Sequence, residues 1–243
     1  MSSICSLFAR MPDEEKFEFL YKLFLEINAE VKQILLYGPC NTPRVQKANN
    51  LCHALKNQGK FFPIHFQKNE LSALPTVFAQ NLLYSAPNED KEKAEDIYEN
   101  YLQLAQQYGT GTCEFFSIVG AYLLAKKFDI NLSIETIFSR ESHTYIRLHT
   151  QPEYILDFWA EMVCEYHDEI TWLEVLGPDY HLKDATYKTE LTLRSNDLIV
   201  MGERVFTETN ARIRSETLDY IKNKVEQFFY SMPGISSEIS LTP

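Results

Sequence analysis

The residues from Cys113 to Phe128, CEFFSIVGAYLLAKKF, are apolar on nearly every side. A helix without a polar face cannot lie on a surface, so this stretch belongs in the middle of a core, with other elements built around it. It follows a sharp loop, GTGT, at residues 109–112. Three extended segments come after it, INLSIETIF, HTYIRLH and EYILDFW, each rich in β-branched and aromatic residues. The TQP between the last two has the composition of a hairpin loop. A buried helix packed on an antiparallel sheet is an α+β arrangement, and that is the predicted fold class.

The residues upstream read as helices. One runs from Pro12 to about Tyr37: Pro12 suits a first helical position, Asp13, Glu14 and Glu15 favour the positive end of the dipole, and Phe17, Leu20, Phe24 and Ile27 line one face. A second spans Pro43 to Gln58, with Thr42 as its cap and Gly59 as its stop. FFPIHF reads as a short extended piece, and helices over roughly 70–85 and 88–107 follow. After Trp159, LEVLGPDYHL and TELTLRS read as irregular or short-strand segments, DLIVMGERVF as a further strand, and 210–230 as a closing helix. The expected organisation is a helical N-terminal part over 1–108 packed on an α+β core over 109–230. The small, polar residues 231–243 form an expected disordered tail.

Composition narrows the function classes. At 243 residues with 45% apolar content, the chain can bury a core without disulfide or metal staples. Its formal charge of −11 comes with no Lys/Arg cluster, which argues against a nucleic-acid partner. No run of 18 apolar residues exists to span a membrane. The five cysteines are odd in number, irregular in spacing and without a CxxC pair, which predicts free thiols in a reducing compartment. Cys164, His167 and His181 lack a fourth ligand, so no metal and no cofactor is expected.

The chemistry centres on Cys113. A cysteine opening a helix after a double-glycine loop lies near unpaired backbone N–H groups and the positive end of a dipole, both of which favour a thiolate. His143 stands at the entry of HTYIRLH and Asp157 near the exit of EYILDFW. If a tight turn joins these strands antiparallel, residues whose numbers sum to about 301 lie opposite one another, so His143 and Asp157 are near neighbours. A carboxylate beside an imidazole fixes its tautomer and stabilises the imidazolium, as a thiolate–imidazolium pair requires. Asp157, flanked by Ile155, Leu156, Phe158 and Trp159, needs a partner wherever it is buried. Cys113 taken alone also fits a packing cysteine, and His143 alone an exposed strand-start histidine. Tyr145 shares the strand face of His143 and Trp159 stands beside Asp157, so both are candidate cleft residues.

The order of cysteine, histidine and aspartate resembles the transglutaminase-like superfamily within the papain-like cysteine enzymes. GTGTCEFFSIVGAYLLAKKF resembles the family's cysteine helix; HTYI and ILDFW resemble its histidine strand and its strand ending in aspartate. The resemblance covers about residues 107–162. It implies Cys113, His143 and Asp157 as catalytic residues and acyl transfer on protein amides as the activity. Papain-like enzymes place an oxyanion-binding glutamine six residues before the cysteine, where this chain has Gln107, although Gln107 also ends a polar helix holding Gln103 and Gln106. Transglutaminases proper have a tryptophan upstream of the cysteine. The tryptophans here, Trp159 and Trp172, lie downstream, so peptidase or deamidase activity is expected ahead of cross-linking. A helical extension on such a core resembles bacterial effectors delivered into host cells, which implies a host protein as substrate and the host cytosol as the compartment. The rival readings are a non-catalytic binding module that retains the fold and acyl transfer to small amines, as in arylamine acetyltransferases, which share the triad order.

Overall fold

The computed structural model describes residues 2–58, 68–87, 93–177 and 185–230. In chain order the helices are α1 (Ile4–Phe8), α2 (Asp13–Ile34), α3 (Pro43–Gln58), α4 (Lys68–Leu71), α5 (Leu74–Ser85), α6 (Ala94–Tyr108), α7 (Cys113–Lys127), α8 (Glu169–Leu176), α9 (Ser195–Val205) and α10 (Glu208–Tyr230). The strands are β1 (Gly38–Pro39), β2 (Thr110–Gly111), β3 (Asn131–Phe138), β4 (Ser142–Leu148), β5 (Tyr154–Asp157), β6 (Met162–Glu165) and β7 (Thr186–Arg194). The fold class is α+β, as the pattern predicts. FFPIHF, Gly59 and the tail over 231–243 lie outside the described residues.

Helix α7 buries eleven of its fifteen residues, which explains why it has no polar face. One side of it rests on the five-stranded antiparallel sheet, ordered β6-β5-β4-β3-β7. Leu132 and Ile134 of β3, Ile146 and Leu148 of β4, Leu156 of β5 and Leu191 and Leu193 of β7 join Ile118, Val119 and Leu124 of α7 in one core. Leu20, Phe24, Ile27 and Val31 of α2 and Leu102 of α6 belong to the same core, so it draws on residues from both sides of position 108. The opposite face of the sheet presents Ile137, Tyr145 and Ile155, which pack with Cys164, Trp172 and Leu173 in a smaller core. Period-two alternation thus sends Tyr145 and Ile155 one way and Ile146 and Leu156 the other.

Two glycines hold the chain close where it turns towards α7. Gly109 ends α6 in the left-handed region at φ 67°, and its carbonyl accepts the Tyr37 N–H at 2.8 Å. That bond begins a short parallel pairing of β1 with β2, Gly38 against Thr110 and Pro39 against Gly111, which continues as Cys40 N–H to the Gly111 carbonyl. Gly120 lets Phe158 lie on α7; a β-carbon there would come 2.1 Å from the Phe158 ring.

Several sequence expectations need correction. The residues DLIVMGERVF form helix, within α9, and not a strand. The Arg194 N–H donates to Asp197 at 3.1 Å in a capping box, and Leu198, Met201, Gly202 and Val205 face inward at helical spacing. The start of LEVLGPDYHL belongs to α8, again helix where irregular chain is expected. The helix expected over 70–85 is broken at Ser72–Ala73 into α4 and α5. Phe17 of α2 points outward, 41% exposed and stacked on Tyr21, while Leu23 takes its place in the core.

Candidate functional site

The pairing of β4 with β5 places Ile146 opposite Leu156, Arg147 opposite Ile155 and Leu148 opposite Tyr154, so paired numbers sum to 302. Continued towards the open end, this register sets His143 opposite Trp159 and makes Asp157 its diagonal neighbour on the same face. His143 Nε2 lies 2.6 Å from Asp157 Oδ2, and both residues are buried. The chain turns sharply after Asp157, and that turn folds back on the carboxylate. The backbone N–H groups of Trp159 and Ala160 donate to Oδ1 at 3.1 and 2.9 Å. The Trp172 indole N–H from α8 donates to Oδ2 at 2.8 Å.

These contacts decide the charge states. Burial pushes the Asp157 carboxyl up. The His143 charge and hydrogen bond, with the Ala160 and Trp172 donors, outweigh it and hold the group below the ordinary carboxylate range. Burial alone pushes His143 down. The Asp157 carboxylate and the neighbouring Cys113 thiol overcome this and raise the imidazole well above its ordinary value. Each shift favours the charged form, so a proton that His143 takes up is held against the Asp157 carboxylate.

Cys113 is the first residue of α7 and is 5% exposed. Its thiol hydrogen-bonds to the His143 imidazole, whose Nδ1 is the nitrogen left once Nε2 is engaged by Asp157. It also donates to Glu114 Oε2 at 3.4 Å. Thr112 occupies the N-cap without capping the helix through its side chain; its hydroxyl donates to the same Glu114 oxygen. The first N–H groups of α7 therefore have no side-chain cap. The Trp159 ring meets His143 edge-on at 5.1 Å, and its indole N–H donates to Asn41 Oδ1 at 3.0 Å. Asn41 follows the β1–β2 pairing, so this bond ties the segment beside Gly111 to the histidine side of the site.

No family model, curated protein or solved structure matches this chain. The site is therefore read from its own residues.

The three residues singled out for chemistry meet at one place, and Trp159 lies against them. Tyr145 lies beneath the site and not in its mouth: it is fully buried, packed edge-on against Trp172 at 4.6 Å, with its hydroxyl donating to Glu135 at 2.8 Å. Gln107 stands half-buried on the last turn of α6 and makes no hydrogen bond to Cys113, His143 or Asp157 among the described residues. His149, on the same face of β4 as His143, is held between Ser133 and Glu153 at 2.7 and 2.8 Å. Sequence reasoning missed Trp172, Asn41 and Glu114. Trp172 and Asn41 reach the site from remote segments with no spacing signal. Glu114 had one, since it adjoins the cysteine. Among the described residues no group of three or more His, Cys, Asp or Glu could hold a metal, and no helix is long and apolar enough to cross a membrane.

Proposed function

We propose that this protein is a thiol enzyme that transfers acyl groups from protein amides, with Cys113 as nucleophile, His143 as proton carrier and Asp157 as the residue that orients and charges His143. The observation that carries this reading is the buried 2.6 Å contact between His143 and a fully buried Asp157 whose other lone pairs are already occupied. A charge pair taken out of water is costly, and here it sits directly behind a thiol. A cysteine at the N-terminus of a buried helix, with histidine and aspartate on adjacent antiparallel strands, also supports the resemblance to the transglutaminase-like and papain-like enzymes.

His143 takes the Cys113 proton, and the thiolate attacks the amide carbonyl carbon. The Cys113 N–H at the uncapped start of α7 receives the developing oxyanion. As the tetrahedral species collapses, the C–N bond breaks and the imidazolium gives its proton to the departing nitrogen, leaving a thioester. Water, deprotonated by His143, then attacks the thioester, releasing a carboxylic acid and restoring the thiol. With a main-chain amide this is peptide hydrolysis; with a glutamine side chain it is deamidation, ammonia being the product.

Iodoacetamide labelling near neutral pH, resolved by peptide mass, tests the reading. Cys113 is expected to label faster than the exposed Cys5, and His143→Ala should slow Cys113 by about 10²-fold or more while sparing Cys5. Equal labelling of the two cysteines in wild type would favour a binding module that keeps the fold without the chemistry. The substrate can then be sought by comparing wild type and Cys113→Ala in a cell lysate for cleavage or a mass gain of about 1 Da at glutamine, the change that hydrolysis of a side-chain amide produces.

A further inference from the structure

The chemistry of Glu114 is not used by the triad. Its carboxylate sits in the first turn of α7, half-buried, with Oε2 accepting from both the Cys113 thiol and the Thr112 hydroxyl. Among the described residues no lysine, arginine or histidine pairs with it. Its charge reaches groups on both sides of the thiol. Tyr98 and Tyr101 of α6 are raised first by burial and then by Glu114. Tyr84 of α5 and Cys40 beyond β1 are raised chiefly by burial, with Glu114 adding to it. The carboxylate is therefore part-buried and within electrostatic reach of these four groups.

The sum of charges decides what such a place accepts. With the thiolate formed, Cys113, His143 and Asp157 together carry one net negative charge, and Glu114 makes two. An anionic substrate group is repelled from this site, and a cationic one is drawn to it. In the free protein the Cys113 thiol donates to Glu114, so a group that engages the Glu114 carboxylate frees the thiol for the imidazole.

Resting on the thiol-enzyme reading above, we propose that Glu114 is a specificity-determining residue: its carboxylate is the counter-ion for a lysine or arginine side chain of the acyl-donating protein, close to the amide that Cys113 attacks. The cation arrives with the acyl donor and not with a later acceptor, because Glu114 already engages the thiol in the free protein.

Methanethiosulfonate reagents of similar size carrying trimethylammonium, hydroxyl or sulfonate groups test this on the intact protein. Each transfers its thioalkyl group to a thiolate with loss of methanesulfinate, so the rates at one cysteine read the local charge. At Cys113 the cationic reagent should outpace the anionic one by at least about tenfold more than it does at Cys5 in the same sample, which removes the effect of overall net charge. Glu114→Gln should bring the Cys113 ratio down to that of Cys5, and Glu114→Asp should keep most of the preference; circular dichroism checks that each variant is folded. A ratio unchanged in Glu114→Gln, or no preference in wild type, overturns the proposal. The neutral reagent separates this from failure of the triad. If it labels Cys113 no faster than Cys5, the catalytic reading fails, whereas the cation-to-anion ratio still reports on Glu114.

Discussion

The Asp157 carboxylate accepts four hydrogen bonds, from His143, Trp172 and the backbone of Trp159 and Ala160, in a place water does not reach. Replacing Trp172 with Phe keeps an aromatic ring in the small core but loses volume and removes one donor to the charge. The expected cost is about 1.5–3 kcal/mol, read as a lower denaturant midpoint with unchanged slope. The ion pair also predicts how stability varies with pH. Asp157 is held below its unfolded value of about 3.9, so its contribution is present above that pH and lost as pH falls through the folded value. His143 is raised above its unfolded value of about 6.5, so its contribution is complete below 6.5 and fades as pH rises towards the folded value. The two shifts describe one pair, whose stabilisation is greatest between about pH 4 and 6.5. In Asp157→Asn this dependence should flatten on both sides. Denaturation midpoints of variant and wild type that stay parallel from pH 3 to 9 would show that the pair is not charged. Asp157 is legible in the sequence because its apolar neighbours demand a partner for it. Trp172 is not, since a donor fifteen residues further on leaves no trace in spacing.

At the scale of elements, the site depends on how closely α7 and the turn after β5 approach one another. Phe158 packs flat on Phe24 of α2 at 4.8 Å and covers Gly120 of α7, immediately beside Asp157. Gly120→Ala would drive a methyl into that ring, and the ring is held on its other side. A loss of about 1–3 kcal/mol is expected from overpacking. Because Phe158 adjoins Asp157, iodoacetamide labelling of Cys113 should also slow in the folded variant; full stability with full reactivity would mean the approach is looser than it looks. The central helix and the three strands after it were readable because each rests on local periodicity; the register of β4 on β5 differs by one from the expected sum of about 301, because the loop between the strands sets it. Helix α9 was misread because LIVM looks like strand over four residues, although the Asp197 cap and the 198-201-202-205 spacing carry the helical signal. The break between α4 and α5 is marked by Pro75 in the first turn of α5, where a missing N–H is tolerated and a helix running on from Leu71 is not.

Taken as a whole, the helices before residue 109 and the sheet after it share one core, and α10 fastens α2, α5 and α6 to one another. Arg214 reaches from α10 to the carbonyls that end two other helices: Gln33 and Ile34 of α2 at 3.0 and 2.8 Å, and Gln106 of α6. A guanidinium at two helix C-termini satisfies orphan carbonyls and opposes both dipoles. Arg214→Ala removes these bonds from a half-buried place, with an expected cost of about 1–3 kcal/mol. The two tryptophans of the chain, Trp159 and Trp172, both stand at the candidate site, so fluorescence reports on that region alone. Far-ultraviolet dichroism reports mainly on the helices, most of which lie elsewhere. If the molecule is one cooperative unit, the two signals melt together in wild type and shift together in Arg214→Ala, although Arg214 touches neither tryptophan. A variant whose dichroism shifts while its fluorescence transition stays in place would separate the helical part from the site. It would then follow that β1, Asn41 and α2 are not needed to hold Cys113 against His143.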